Sequence, residues 1–364
     1  MVIATQDTEH AEPAAALAEI GYHVLLEKPM AATEPDATRI VEAARTAGVV
    51  LAVCHVLRYT PYARRLGRIL DSGLLGDVVT VEHLEPVGWW HQAHSYVRGA
   101  WGREAESSPM LLAKSVHDID WLNHIVGRPA SRVASFGGLH HFRPERRPDG
   151  AADNCLDCPV EPTCPYSAPR LYLGCLGNPA LEAWPLSTVT EARTPDGVID
   201  ALRSSRYGRC VYAGDNDVVD HQVVSIEYDN GTTASFTMTG FTAPRPRQTR
   251  ICGSHGFLEG DGRELYVTDF RTGDRQTVGG ARDTTVDAAS GHGGGDRGIV
   301  DAFLDAVGRG DASALTSPEE SLESHRVAWA AERARREHRV VEITPAARPT
   351  AAAAANGPMT STNQ

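Results

Sequence analysis

The first 54 residues alternate short apolar runs with helix-forming stretches, and this alternation restricts the fold more than any other feature of the 364-residue chain. Val2 to Thr5 reads as a strand that ends in a polar turn. Glu9 to Ile20 reads as a helix closed by Gly21. His23 to Leu26 is a second buried strand, ending at Glu27-Lys28-Pro29. Glu34 to Ala47 is an amphipathic helix with Ile40, Val41, Ala44 and Ala47 on one face and Gly48 as its stop, and Val49 to Val53 is a third strand. Strands joined through helices run parallel, because a parallel pair needs a crossover of a dozen or more residues. Such sheets carry their functional loops at the carboxyl ends of the strands. Here those ends are Thr5-Gln6-Asp7, Glu27-Lys28-Pro29 and Cys54-His55.

Beyond this unit the pattern changes. Pro61 to Ser72 reads as a helix, and residues 76–85 as a strand that opens a different sheet. Residues 86–108, rich in Trp, His, Gly and Ser, show no sustained period and are expected to form a long loop. Residues 110–126 return to helix. Residues 140–200 are dense in Pro, Cys and Arg and read as an insertion. From 218 to 270 the period becomes two, with Asp229-Asn230-Gly231 as a hairpin turn, so an antiparallel sheet is expected. Helices follow at 296–308 and 318–338. The Ala/Pro/Ser/Thr-rich residues 344–364 are expected to be a disordered tail.

Composition excludes several function classes. The balance of 35 Lys and Arg against 47 Asp and Glu gives a net charge of −12, the wrong sign for a sequence-independent nucleic-acid binder. No apolar run approaches the ~18–20 residues that cross a bilayer. The opening residues show no secretory leader, and a cytoplasmic location is expected. Of the seven cysteines, Cys155, Cys158, Cys164 and Cys175 fall close together. Two thiolates two residues apart often share a metal, so a structural zinc or other metal is one reading of the four; packing thiols and disulfides are the others.

Other constellations admit both functional and ordinary readings. A lysine at a strand's carboxyl end, Lys28, can move a proton or stabilise an alkoxide, and burial would tune its pKa toward that task. Most Glu-Lys pairs, by contrast, are solvated surface groups. Lys114, His117 and Asp120 are spaced to line one helical face, either as a catalytic row or as a surface ion-pair ladder. The apolar neighbours Leu111, Leu112, Val116, Ile119 and Leu122 weigh against the ladder. Asn216-Asp217-Val-Val-Asp220-His221 reads as a capped turn or as pocket residues.

Met1-Val-Ile-Ala-Thr5-x-Asp7-x-x-His10, Gly21-x-His23-Val-x-x-Glu27-Lys28-Pro29 and His117-x-x-Asp120 together resemble the Gfo/Idh/MocA family of NAD(P)-dependent oxidoreductases. The likeness extends to about residue 343 and includes Ser321-Leu-Glu-Ser-His325. It implies an α/β fold: a Rossmann-type parallel sheet followed by an α/β domain with an open, mostly antiparallel sheet. The expected divisions are residues 1–75 for the Rossmann part and 76–343 for the substrate and oligomerisation domain. The resemblance implies that Thr5, Asp7, His10, Glu27, Lys28 and Arg58 approach NAD or NADP. It makes Lys28, His117 and Lys114 the catalytic candidates, and it implies a homo-oligomer formed through the open sheet.

Two departures qualify the likeness. Ala113 stands where many members carry Asp four residues before the His, as in a subgroup that shares Pro-Met-x-Leu-x-Lys-Ser-x-His-Asp-x-Asp. That subgroup makes His94, Arg98, Lys114, Asp217 and His221 substrate candidates, and Asp120 of the same helix is expected at the substrate as well. No Gly-x-Gly-x-x-Gly precedes Val2, so the Rossmann sheet is expected to be incomplete, short of roughly 60–70 residues at more than ~30 per βαβ unit. The expected activity is hydride transfer between a nicotinamide and a hydroxyl or keto group of a sugar or cyclitol-like molecule. An NAD-dependent glycosidase using transient oxidation and a non-catalytic sugar-binding fragment are the alternatives.

Overall fold

The computed structural model describes residues 1–278 and 293–344. The first unit is a three-stranded parallel sheet of β1 (Val2–Ile3), β2 (Val24–Leu26) and β3 (Leu51–Val53), in that spatial order. Every residue of β2 and β3 is buried, as expected of strands covered on both faces. Helix α1 (Ala11–Glu19) and helix α2 (Glu34–Ala47) make the crossovers. The α2 helix begins where the Thr33 hydroxyl accepts the Asp36 amide and ends at Gly48, whose φ of 66° is open to glycine at little cost. Ile40, Val41 and Ala44 pack with Ile3, Val24, Leu26 and Val53 in one apolar core.

Helix α3 (Pro61–Asp71) leads to strand β4 (Val78–Pro86), which enters a nine-stranded sheet. Two helical pieces follow β4: the short α4 (Trp89–His91) and a π-helical turn over Gln92–Arg98 in which every residue is buried. The long loop expected over 86–108 is thus corrected for this stretch. A π turn repeats outside the 3.6-residue period, so the apolar pattern of a packed helix never shows in its sequence. Helix α5 (Met110–Val126) comes next, then strand β5 (Ala130–Gly138).

The inserted region that follows contains α6 (Ala168–Leu173), α7 (Pro179–Ala183) and α8 (Pro195–Ser204). It has a small core of its own, with Tyr172, Leu186, Val198 and Leu202 completely enclosed. The remaining strands are β6 (His221–Tyr228), β7 (Thr233–Thr239), β8 (Gln248–Gly253), β9 (Gly256–Gly260), β10 (Leu265–Asp269) and β11 (Arg275–Val278). Helices α9 (Gly295–Arg309) and α10 (Pro318–Glu337) and strand β12 (Val341–Glu342) complete the described chain. The tail expected to be disordered lies, apart from Thr344, outside the described residues.

Spatial order in the large sheet is β11-β10-β9-β8-β4-β7-β6-β5-β12, with β4 and β7 parallel and the other described pairs antiparallel. Helices α5 and α10 pack against each other and against one face of the sheet. The other face is open: Phe136 is 70% and its cross-strand partner Val223 40% exposed, while Gln222 and Val224 on either side of Val223 are buried. Among the described residues no helix is long and apolar enough to cross a membrane. Because α10 packs on α2 and β3 as well as on α5 and β5, it fixes the parallel unit against the large sheet.

Candidate active site

The carboxyl ends of β1, β2 and β3 meet the amino-terminal half of α5. The β2 loop is held from two sides. His10 places Nδ1 2.7 Å from the Pro29 carbonyl and Nε2 3.1 Å from the Thr5 carbonyl. From α10, His325 Nε2 accepts the Met30 amide at 2.7 Å while its Nδ1 donates to the Ser321 carbonyl at 2.7 Å. These anchors direct the half-buried Lys28 side chain across the interface, where Nζ donates to the Ala113 carbonyl at 2.5 Å. Loss of solvent around the amine lowers its pKa from the usual lysine value, and the charge of Lys114 lowers it further.

His117 is 3% exposed and lies on α5 four residues after Ala113. The Lys28 amine therefore meets α5 one helical turn before the residue that carries the imidazole. The rings of His117 and His55 meet edge-to-face with centroids 6.2 Å apart. Lys114 pairs with Glu85, at the end of β4, at 3.3 Å. Glu85 also takes Arg247 at 2.9 Å, and Arg247 reaches Asp118, which His83 approaches at 2.9 Å. Burial alone would raise the Asp118 pKa, but the Arg247 and His83 charges and hydrogen bonds outweigh it and hold the carboxyl well below its ordinary value.

The three residues expected in a row on α5 therefore diverge. Asp120 is 1% exposed and accepts two bonds of 2.7 Å from Arg58, with Ser324 donating to it at 3.1 Å. Its oxygens are engaged within the protein, by Arg58 and Ser324. Arg58, assigned to the cofactor, uses Nε and Nη2 in the same pair. Asp7 is buried and accepts from Trp101 Nε1 at 3.1 Å, Ser108 at 2.6 Å and Ser107 at 3.4 Å, tying the β1 loop to the segment before α5. Thr5 is exposed, and the Glu27 carboxylate accepts the Lys28 amide at 3.2 Å.

Four other substrate candidates make contacts within the protein. His94 is buried, with Nδ1 2.8 Å from the Tyr172 hydroxyl and Nε2 3.2 Å from Thr188 Oγ1, so both ring nitrogens face the insertion. Arg98 is 3% exposed and donates to the Arg209 and Tyr166 carbonyls at 2.7 and 2.8 Å. Asp217 accepts the Glu104 amide at 2.8 Å, a turn-pinning contact. His221, 2.8 Å from Asp220, alternates with the buried Gln222 and lies on the open face of the sheet beside Val223.

The metal reading is corrected. Among the described residues no group of three or more His, Cys, Asp and Glu side chains could hold a metal ion. Cys155, Cys158 and Cys164 line a small cavity with Cys210 and Arg98, whereas Cys175 is buried among Tyr172, Leu186 and Leu202. The sequence reading missed Glu85 and Arg247, which are far apart in the chain and pair across the adjacent strands β4 and β8. His55 and His325 stood in segments that were noticed without being given roles.

Residues 1–55 match the oxidoreductase family's NAD-binding Rossmann fold, and residues 68–343 match the same family's C-terminal alpha/beta domain. An oxidoreductase of Bacillus subtilis, YteT, is 26% identical over 321 residues, covering 84% of this chain and 72% of that protein. The 2,7-anhydro-N-acetylneuraminate hydratase of Escherichia coli is 29% identical over 148 residues, 40% of this chain and 38% of the hydratase. Among solved structures, levoglucosan dehydrogenase in complex with NADH and levoglucosan superimposes with a TM-score of 0.65 at 19% identity, over 94% of this chain and 79% of that one. With the parallel unit, the open sheet and both family matches in agreement, this chain is a member of the Gfo/Idh/MocA oxidoreductases.

Proposed function

We propose that the protein oxidises or reduces a hydroxyl or keto group of a sugar or cyclitol-like molecule with a nicotinamide cofactor. The observation that carries this reading is the Lys28 amine held 2.5 Å from the Ala113 carbonyl, one helical turn before His117. A carbinol proton must leave as its carbon is oxidised, and a base works best with a pKa near the working pH. The lowered pKa of Lys28 moves it in that direction. Lys114, fixed by Glu85, adds positive charge that favours a developing alkoxide. His117 takes or returns the proton from the same side.

The carboxyl ends of β1 to β3 fit the nicotinamide end of NAD(P): Thr5 lies open at the first, and Lys28 projects from the second between two anchored loops. Thr5 and Glu27 would approach the cofactor there, with Asp7 and His10 holding the β1 and β2 loops in place beside it and Arg58 bracing the wall through Asp120. When bound, the cofactor supplies the hydride acceptor or donor. The family match to an NAD-binding fold and the NADH bound to the levoglucosan dehydrogenase neighbour support NAD(H) in this role. The hydratase relative favours keeping a second reading, in which oxidation is transient and the net reaction leaves the cofactor unchanged.

The test is to supply NAD+ with levoglucosan, myo-inositol and other polyols, following absorbance at 340 nm together with product chromatography. Stoichiometric NADH supports the dehydrogenase, and an altered sugar without NADH supports the transient-oxidation reading. Neither NADH binding in calorimetry nor turnover would leave only a non-catalytic sugar binder. Seven free cysteines support a reducing, cytoplasmic setting, and the exposed Phe136 and Val223 on the open face support a homo-oligomer.

A further inference from the structure

The insertion reaches the catalytic pocket through aromatic rings. Trp90 and His91 sit on α4, just past the end of the strand that carries Glu85. Trp184, immediately after α7, brings its ring centroid within 4.8 Å of His91 and 5.3 Å of Trp90. The insertion is rigidly seated at this point: His94 joins Tyr172 and Thr188, Tyr207 stacks on His94 at 5.2 Å, and Arg98 grips two carbonyls. Toward the cofactor side, His91 neighbours Tyr96 at 5.9 Å, and Tyr96 neighbours Trp101, which donates to Asp7. The ring series therefore runs from the β1 loop to Trp184. Burial, then the charges of Lys114, His94 and Lys28, lowers the His91 pKa well below the usual value. Trp184 is nevertheless 39% exposed, a rigidly held indole that the insertion leaves partly open.

We propose that Trp184, backed by Trp90, forms a second sugar subsite, and that the substrate is a disaccharide or larger glycoside with one ring at Lys28 and His117 and the next stacked on the indole. A pyranose has an apolar C–H face and polar edges, so it matches a flat, stiff aromatic ring better than a flexible aliphatic one. The inference rests on the sugar-oxidising reading above. It assigns the insertion a specificity role in addition to its packing.

The experiment titrates the protein with glucose, maltose, cellobiose and gentiobiose, reading tryptophan fluorescence and, with NAD+, the separate kcat and KM values. At least one disaccharide is expected to bind about tenfold more tightly than glucose, the scale of one well-packed aromatic contact. Trp184→Ala should abolish that difference through KM or Kd, leave glucose binding and kcat unchanged, and be partly rescued by Trp184→Phe. Circular dichroism on both variants reports folding, and the Phe variant keeps the test open if the Ala variant fails to fold. Equal binding of glucose and every disaccharide, or a loss in Trp184→Ala that includes glucose, overturns the subsite and leaves the sugar-oxidising reading standing. No response to any of these sugars, together with no turnover of levoglucosan, myo-inositol or the other polyols, overturns both.

Discussion

Arg58 and Asp120 meet through two hydrogen bonds of 2.7 Å, and the carboxylate they fix lies 3.8 Å from the enclosed His55 ring. One buried pair thereby connects the segment after β3 to the helix that carries His117, and Ser324 extends the tie to α10. Removing one partner of such a pair strands the other charge in low dielectric. Asp120→Ala is expected to lose about 3–5 kcal/mol in urea unfolding, and the Arg58→Met, Asp120→Leu double variant should recover part of that loss. Burial works to raise the Asp120 pKa, but His55, Arg58 and Ser324 together lower it. Its contribution should therefore be present above the ordinary carboxylate range and disappear as pH falls through the lowered folded value.

His325 gives the opposite chemistry with the same sense of pH dependence. Burial, then the neighbouring His55, lowers its pKa from 6.5 to about 3. Between those values the unfolded chain binds a proton that the folded chain does not, so stability is complete above pH 6.5 and declines toward pH 3. His94, lowered to about 4, acts in the same direction. Urea midpoints measured from pH 7.5 to 4.5 should fall in the wild type and fall less steeply in His325→Gln, once the variant's uniform loss is subtracted.

Arg98 should prove to be an anchor. Its bonds to the Arg209 and Tyr166 carbonyls hold the insertion to the π-helical turn. Arg98→Ala is expected to lose about 3–6 kcal/mol, the range for two charge-assisted bonds within the protein, and to expose residues 140–200 to limited proteolysis while NADH affinity stays unchanged. A selective loss of substrate affinity with normal stability would return Arg98 to the substrate.

Phe136, 70% exposed on the open face, reports on assembly. Phe136→Glu is expected to shift the protein to monomer in light scattering without altering its circular dichroism. A wild type that is already monomeric at micromolar concentration would contradict assembly through this face.

The parallel unit was legible because buried strands and amphipathic helices leave different periods, and α2 and α5 match their expected spans residue for residue. Lys28 was legible as the cation at a strand's carboxyl end. The Arg247–Glu85–Lys114 network was not, because its members come from three separate elements and no local pattern links them. His94 and Arg98 illustrate a different limit: a polar side chain that will bond to buried carbonyls and hydroxyls reads the same in sequence as one that will face a ligand. The Cys155–Cys158 spacing likewise satisfies a metal's local requirement and leaves undecided where the remaining thiols fold.

The most direct test of the account compares wild type, Lys28→Met and His117→Ala for NADH binding by calorimetry and for NADH formation from the best polyol. Both variants should bind NADH within a few-fold of wild type while turnover falls by about 10²–10⁴, the usual contribution of a positioned proton-transfer group. Turnover in His117→Ala equal to that of the wild type would contradict the central claim.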